Sequence, residues 1–103
     1  MAGEISEADW RVFRELKPIA LDRLCARVLA EMTAIQADAT RTNHQRFLAV
    51  YARINEGNDD VAAIFNGMSR SRASLQLHLM IRHGLLTPDE ISRFSAPFRD
   101  SCR

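Results

Sequence analysis

The feature that most constrains the fold is a long helical repeat of apolar residues between positions 18 and 37. Apolar side chains recur there in steps of three and four: Leu21, Leu24, Cys25, Val28, Leu29, Met32 and Ile35. Such steps place side chains along one face of an α-helix. The opposite face carries charges, including Arg27 and Glu31, whose i,i+4 spacing adds a weak ion pair. The repeat predicts an amphipathic helix, with Cys25 on its apolar side.

Pro18 interrupts the first part of the chain. Ser6 is a suitable N-cap for a helix that carries Trp10 and Phe13. A proline inside a helix removes a hydrogen bond and clashes with the preceding turn, whereas in the first turn it costs little. We therefore expect a short helix at about 7–15 and a new one that starts near the proline. One continuous, kinked helix is the alternative.

The middle of the chain predicts two further helices. Thr42 or Asn43 caps the first, which Gly57–Asn58 ends. A short helix then opens at Asp59–Asp60 and stops at Asn66–Gly67. Apolar residues of the first helix lie at helical spacing: Phe47, Val50, Tyr51 and Ile54. Because the aromatic residues follow this spacing, we expect them to pack in the core rather than to form a ligand cage: Trp10, Phe13, Phe47, Tyr51 and Phe65.

Residues 69–83 fit either a strand or a helix, because every second residue from Leu75 to Ile81 is a large aliphatic one. The length of the segment, Ala73 and Gly84 favour a helix, since glycine commonly follows a helix C-terminus. Such a helix would be apolar on most sides. It should therefore lie centrally, surrounded by neighbouring helices or by a second subunit.

These elements predict an all-α fold, specifically a compact orthogonal bundle of five or six helices. Thr87 caps a last short helix with Pro88 in its first turn, and the tail from Ser95 is expected to be irregular. A chain of 103 residues is expected to form one domain, 1–103. Residues 1–5 and about 96–103 are expected to be loosely ordered.

Composition narrows the classes of function. The net charge of +1 argues against a strongly basic or acidic tail. Charge is uneven, since residues 1–68 hold eight Lys/Arg against ten Asp/Glu, and residues 69–103 hold six Arg against three acids. Ordinary scatter and a basic C-terminal face both fit this split. Thirteen Arg, one Lys and 14 Ala indicate a GC-rich bacterial genome.

The same composition predicts a cytoplasmic protein that does not partner a membrane. The first residues are acidic and polar, unlike a secretory signal, and no window approaches the ~18 apolar residues of a membrane span. The two cysteines, Cys25 and Cys102, are then expected to be reduced, with Cys102 exposed near the end of the chain.

No motif for catalysis, a metal or a cofactor is present. The three histidines, His44, His78 and His83, are scattered, and no Cys-x-x-Cys or His-Glu-x-x-His occurs. Cys25 lies in an apolar stripe, where a thiol is inert. The glycines are isolated helix stops rather than a phosphate-binding loop. We expect no enzyme activity and no cofactor.

Residues 59–79 partly resemble a helix-turn-helix unit. Gly67 falls at the turn, Met68 supplies the apolar residue after it, and 69–72 lies where a recognition helix presents polar side chains to the major groove. Asn66 and Gln76 depart from the pattern. DNA contact would use Ser69, Arg70, Arg72, Arg82 and Arg93. A capped helical hairpin with exposed arginines is the structural alternative.

A second resemblance covers most of the chain. Three segments carry it: Lys17-Pro18-Ile19-Ala20-Leu21, Arg46-Phe47-Leu48-Ala49-Val50-Tyr51, and Gly84-Leu85-Leu86-Thr87 with Asp89-Glu90. Together they resemble short all-helical bacterial proteins of uncharacterised role, some of which carry a release-factor label. The Gly-Gly-Gln tripeptide that peptidyl-tRNA hydrolysis requires does not occur in this sequence. The resemblance therefore implies a small bacterial helical protein, without that activity.

The surplus of apolar helix surface favours a non-enzymatic protein that acts by self-association or by docking a protein partner. A homodimer with a two-fold helix–helix interface is the default form. The residues that we expect at this surface, each of which fits a monomer core equally well, are Leu24, Val28, Leu77, Met80 and Ile81.

Overall fold

The computed structural model describes residues 5–67 and 69–102, and within these ranges the chain is helical without strands. Helix α1 spans Glu7–Gln36 and α2 spans Asn43–Phe65. A 3-10 turn at Arg70–Arg72 leads into α3 at Ala73–Arg82, and two short helices follow, α4 at Pro88–Ile91 and α5 at Ala96–Ser101. The all-α prediction is confirmed. Residues 1–4, Met68 and Arg103, on which some predictions fell, lie outside the described residues.

Helix α1 runs through Pro18, so the predicted break at that residue is wrong and the continuous alternative is right. A proline in a helix interior costs about 3 kcal/mol. Side chains on both sides of it, Leu16, Ala20 and Leu24, are buried in the same core, whereas Pro18 itself is exposed. Packing of the flanking turns therefore outweighs the local cost and keeps the two segments in one helix.

Helix α2 likewise continues through Gly57–Asn58, where the sequence predicted a stop. Gly57 is buried, and a Cβ built on it would lie 2.9 Å from Val28 Cγ2 of α1. The glycine thus lets two helices approach each other. At the other end of α2, Thr42 forms the predicted cap, accepting from Gln45 N at 3.1 Å while its own N–H donates to Gln45 Oε1 at 2.9 Å.

The C-terminal part folds over one end of the α1–α2 hairpin. Gly84 has a φ of 67° and follows α3 as predicted, and Leu85 N donates to Met80 O at 2.9 Å. The core at this end gathers residues from all parts of the chain: Phe13, Leu16, Ala20, Leu24, Ile64, Phe65, Leu77, Met80, Leu85, Leu86, Phe94 and Cys102.

The tail from Ser95, predicted to be irregular, forms α5, and Cys102, predicted to be exposed, is buried. The buried carboxylate of Asp9 on α1 accepts from Ser95 N at 2.7 Å and from Ser95 Oγ at 2.5 Å. This bond fixes the start of α5, where Pro97 fits the first turn. Ile5, also expected to be loosely ordered, is buried in the core.

The described part of the molecule measures 54 × 24 × 20 Å, so it is more extended than the compact bundle that the sequence predicted. A helix of 30 residues such as α1 is ~45 Å long. Helices α3 to α5 are too short to cover that length. None of residues 29–56 is buried. We call this end of the hairpin the arm.

Candidate docking face on the helical hairpin

The arm exposes large apolar side chains on one side of α2. Phe47 is 69% exposed and Tyr51 is 61% exposed, although their spacing predicted core positions. Leu29 of α1, at 59%, is exposed as well. The predicted helical stripe therefore exists, but solvent rather than another helix lies against it. We call Leu29, Phe47, Val50, Tyr51 and Ile54 the arm face.

Two grooves indent the arm face and meet at Ile54. The tip groove, of about 520 Å³, is lined by Gln36, Asn43, Arg46, Phe47, Val50, Tyr51 and Ile54. The Gly57 groove, of about 250 Å³, is lined by Cys25, Val28, Leu29, Ile54, Gly57, Asn58 and Val61. The second groove is almost wholly apolar, and Gly57 is one of its lining residues, although Val28 fills the space that a side chain on Gly57 would need. Together they form a continuous apolar strip along α2.

Polar contacts join α1 to α2 beside this strip. Arg53 of α2 is paired with Glu31 of α1, and the hydrogen bond between them raises the pKa of Arg53. Nearer the tip, Arg46 donates to Gln36 O of α1 at 3.3 Å and, within α2, to Asn43 Oδ1. These contacts hold the two helices of the arm together without covering Phe47 or Tyr51.

The residues that the sequence selected for an interaction surface lie mainly inside the single chain. Leu24, Leu77 and Met80 are in the core, with at most 1% of their surface exposed. Val28 is buried against Gly57, and Ile81 is half-buried against the core. The sequence left two roles open for these residues, core and interface. All of them except Ile81 are buried within the single chain and so have the core role in this structure. Most of the exposed large apolar residues in the described ranges lie on the arm instead, with Ile19 and Leu75 outside it.

The residues selected for nucleic-acid contact are on the surface, but several bind neighbouring protein groups. Arg70 pairs with Glu7 and stacks 5.2 Å from the centre of the Trp10 ring, and this pairing lowers the pKa of Glu7. Arg72 Nη1 donates to Asn66 O at 3.2 Å, and Arg93 pairs with Glu15.

The two remaining residues of that set differ in position. Ser69 Oγ lies 3.3 Å from Ser71 Oγ in the turn before α3. Arg82 is exposed at the opposite end of α3, ~15 Å along the helix from Arg72. The set is therefore divided: Ser69, Arg70 and Arg72 lie at the start of α3, Arg82 lies at its end, and Arg93 follows α4.

Gln76, which departs from the helix-turn-helix pattern, has a structural role that the sequence reasoning missed. It is fully buried, and its Nε2 donates to Asn66 O at 3.2 Å and to Gly67 O at 2.9 Å. These carbonyls follow the last turn of α2, so the amide satisfies groups that a helix end leaves free. The sequence did hold a signal for this role: a glutamine stands at a core position of the helix that follows the Asn66-Gly67 stop.

The cysteines and histidines do not assemble a reactive centre in residues 5–67 and 69–102. Neither thiol forms a disulfide. Cys25 is exposed, although its place in the apolar stripe predicted that it would be covered. Burial raises the pKa of the Cys102 thiol, and His78 Nδ1 lies 2.5 Å from Cys102 O. No three His, Cys, Asp or Glu side chains in these ranges come together as a metal site would need.

Over the same described ranges, no helix has the length and apolar character needed to cross a membrane. No protein-family model, curated protein or solved structure matches this chain. The physical character of the arm face is therefore the guide to function.

Proposed function

We propose that this chain is a non-enzymatic protein that docks a helical protein partner through the arm face. One observation carries the proposal: Phe47 and Tyr51 are each more than 60% exposed, on a two-helix arm that buries none of its own residues. Aromatic rings with an arginine such as Arg46 beside them have the composition of interface hot spots.

The two aromatic rings of this face supply part of the energy that specific binding needs. A buried aromatic side chain removes roughly 200 Å² from water, so the exposed parts of Phe47 and Tyr51 amount to ~250 Å². At ~25 cal/mol per Å² their burial contributes ~6 kcal/mol before the costs of association. Apolar patches of several hundred Å² on a small protein commonly mark interaction sites.

We also propose a bacterial, cytoplasmic setting for this docking protein. The arginine- and alanine-rich composition supports the first part, and the two free cysteines fit a reducing compartment.

Photo-cross-linking tests the docking proposal directly. Tyr51 is replaced by a benzophenone-bearing phenylalanine, which keeps an aromatic ring at the arm face, and cells of the source organism are irradiated. The matched control carries the same group at Ala52, which is also exposed but lies about 100° further round α2. A discrete protein adduct from position 51 that is weak from position 52 is expected. No adduct at position 51, or equal adducts from both positions, would contradict docking through this face.

DNA binding through residues 59–79 is the second candidate. The feature that favours it is the short turn after α2, where Gly67 has a φ of 71° and the exposed Arg70 and Arg72 follow. Against it, both arginines already bind protein groups. Fluorescence anisotropy of a mixed-sequence duplex at ~50 and ~200 mM salt tests it, because phosphate contacts make affinity fall steeply with salt. Flat titrations at micromolar protein would exclude this function.

A further inference from the structure

The identity of the partner follows from the charge pattern and the shape of the arm face, if the proposed docking function holds. We infer that the partner is a second copy of this chain. The two arms pair antiparallel about a two-fold axis, and Phe47 of each copy enters the Gly57 groove of the other.

Charge is segregated along α2. Residues 43–54 hold two arginines, Arg46 and Arg53, and no acid. Residues 55–65 hold three acids, Glu56, Asp59 and Asp60, and no base. An antiparallel copy places the basic half beside the acidic half twice, whereas a parallel copy would place like charges together.

Within the chain Arg53 pairs with Glu31 and Glu56, but the order of charges along α2 does not favour its helix dipole. Acids near a helix N-terminus and bases near its C-terminus favour the helix dipole. The first turn of α2 has no acid and its last turn has no base. An antiparallel partner brings acids toward the N-terminal half, so the order of charges suits a pair of helices better than one helix.

The size of the Gly57 groove suits the Phe47 side chain of an antiparallel copy. The Gly57 groove holds about 250 Å³, and a cavity of ~150 Å³ is enough to take benzene. Among the residues that the structure describes, Phe47 is the most exposed large apolar one, at 69%, so it is the natural occupant of an apolar groove. Knob and groove are separated by ten residues, ~15 Å along α2.

A two-fold axis midway between Phe47 and Gly57 crosses the arm face at the height of residue 52, whose own side chain is about 140° round α2 from that of Phe47. That axis sets Val50 of one copy opposite Ile54 of the other, and it brings the two Tyr51 rings within about one helical turn of each other. The arm-face residues of α2 are therefore all used in a single register.

The area supports contact over the whole strip rather than at one groove. Stable protein interfaces bury ~800 Å² on each partner, which is about three times what Phe47 and Tyr51 expose. Antiparallel pairing over residues 47–61 covers both grooves along ~21 Å of helix. The pair then resembles a four-helix arrangement of two hairpins.

Charge reversal tests both the partner and the orientation. Sedimentation equilibrium at ~50 mM salt should show a dimer for the native chain. Arg46→Glu alone and Asp59→Arg alone should each weaken the dimer at least tenfold, because each homodimer then carries two like-charge contacts. An equimolar mixture of the two variants should recover the native affinity, since every contact in the mixed pair is again between opposite charges. A mixture no tighter than either variant would overturn the antiparallel arrangement.

A second pair of variants tests the Phe47 contact. Phe47→Ala should weaken the dimer at least tenfold with an unchanged circular dichroism spectrum, because the side chain is exposed in the single chain. Leu75→Ala, which removes a 51% exposed leucine from α3, is the control and should leave the dimer intact. A native chain that is monomeric at ~100 µM would overturn the inference. If position 51 then cross-links to a different protein in cells, the docking function stands and only the second copy is excluded.

Discussion

Gly57 shows how one missing side chain shapes the packing of the hairpin. It lets α2 approach Val28, which fills the space that a side chain at this position would need. In a sequence, glycine within a helical stretch signals a stop. A glycine can also allow two helices to approach closely, but this role can be recognised only when the residue that faces it on the other helix is known.

The substitution Gly57→Ala should therefore destabilise the protein, although alanine favours helix by about 1 kcal/mol. The new Cβ lies 2.9 Å from Val28 Cγ2, and overpacking of a core costs about 1–3 kcal/mol. We expect a net loss of about 1 kcal/mol in urea-unfolding experiments. In a Val28→Ala background the loss should vanish, because the clashing methyl groups are gone. A stabilised Gly57→Ala variant in the native background would contradict the close approach.

At the scale of the element, the sequence located the helices and several of their ends, but it predicted two breaks inside helices that are continuous. The stripes of α1 and α2 and the caps at Thr42 and Thr87 agree with the structure. The breaks predicted at Pro18 and Gly57–Asn58 do not occur, because packing across the hairpin outweighs the local preference of a single residue. Periodicity identifies which side chains share a face, but it does not say what covers that face. Phe47 and Tyr51 were for this reason assigned to the core.

Helix α5 was missed because its anchor lies far away in the chain. Asp9 bonds the backbone and hydroxyl of Ser95, 86 residues further on. Local sequence patterns do not reveal a partner at that separation. The short tail alone has too few residues to form a stable helix.

Asp9→Ala should release α5 and open Cys102 to solvent. The reaction of the two thiols with an aromatic disulfide at low micromolar protein measures this. Cys102 should react at least tenfold faster than in the native chain, because local opening of α5 becomes easier. Cys25, which is already exposed, gives the internal reference and should keep its rate. Ser95→Ala, which retains the backbone N–H donor, should have a smaller effect. An unchanged Cys102 rate would show that apolar packing alone holds α5.

At the scale of the whole molecule, ion pairs tie the C-terminal helices to the hairpin. Arg23 of α1 donates to both carboxylate oxygens of Glu90, at 2.6 and 3.0 Å, and also to Leu85 O at 2.9 Å. The bonds from Arg23, followed by the one from Thr87 N, lower the pKa of Glu90 to about 2. The carboxylate therefore connects α4 to α1 while it also completes the cap of its own helix.

The lowered pKa of Glu90 makes the free energy of unfolding depend on pH in the acid range. Since the folded pKa of Glu90 is below its unfolded value of 4.5, the stabilisation is complete above pH 4.5 and is lost as the pH falls toward about 2. We expect Glu90→Gln to lower the free energy of unfolding by about 1 kcal/mol at pH 7, a figure reduced for solvent screening of a partly exposed pair. The difference from the native chain should shrink between pH 4.5 and 2.5. A difference that is constant over this range would show that the charge of Glu90 is not responsible.

The burial of every core residue at one end of the hairpin has a consequence for how this protein can change. Substitutions on the arm, residues 29–56, remove no buried side chain, so they alter the arm face at little cost in folding free energy. Under the proposed docking function, most of the surface that selects the partner is thus separate from the residues that fold the chain. Such a division would allow new specificities to arise by mutation of the arm. It also makes the hairpin a suitable scaffold for an engineered binding surface.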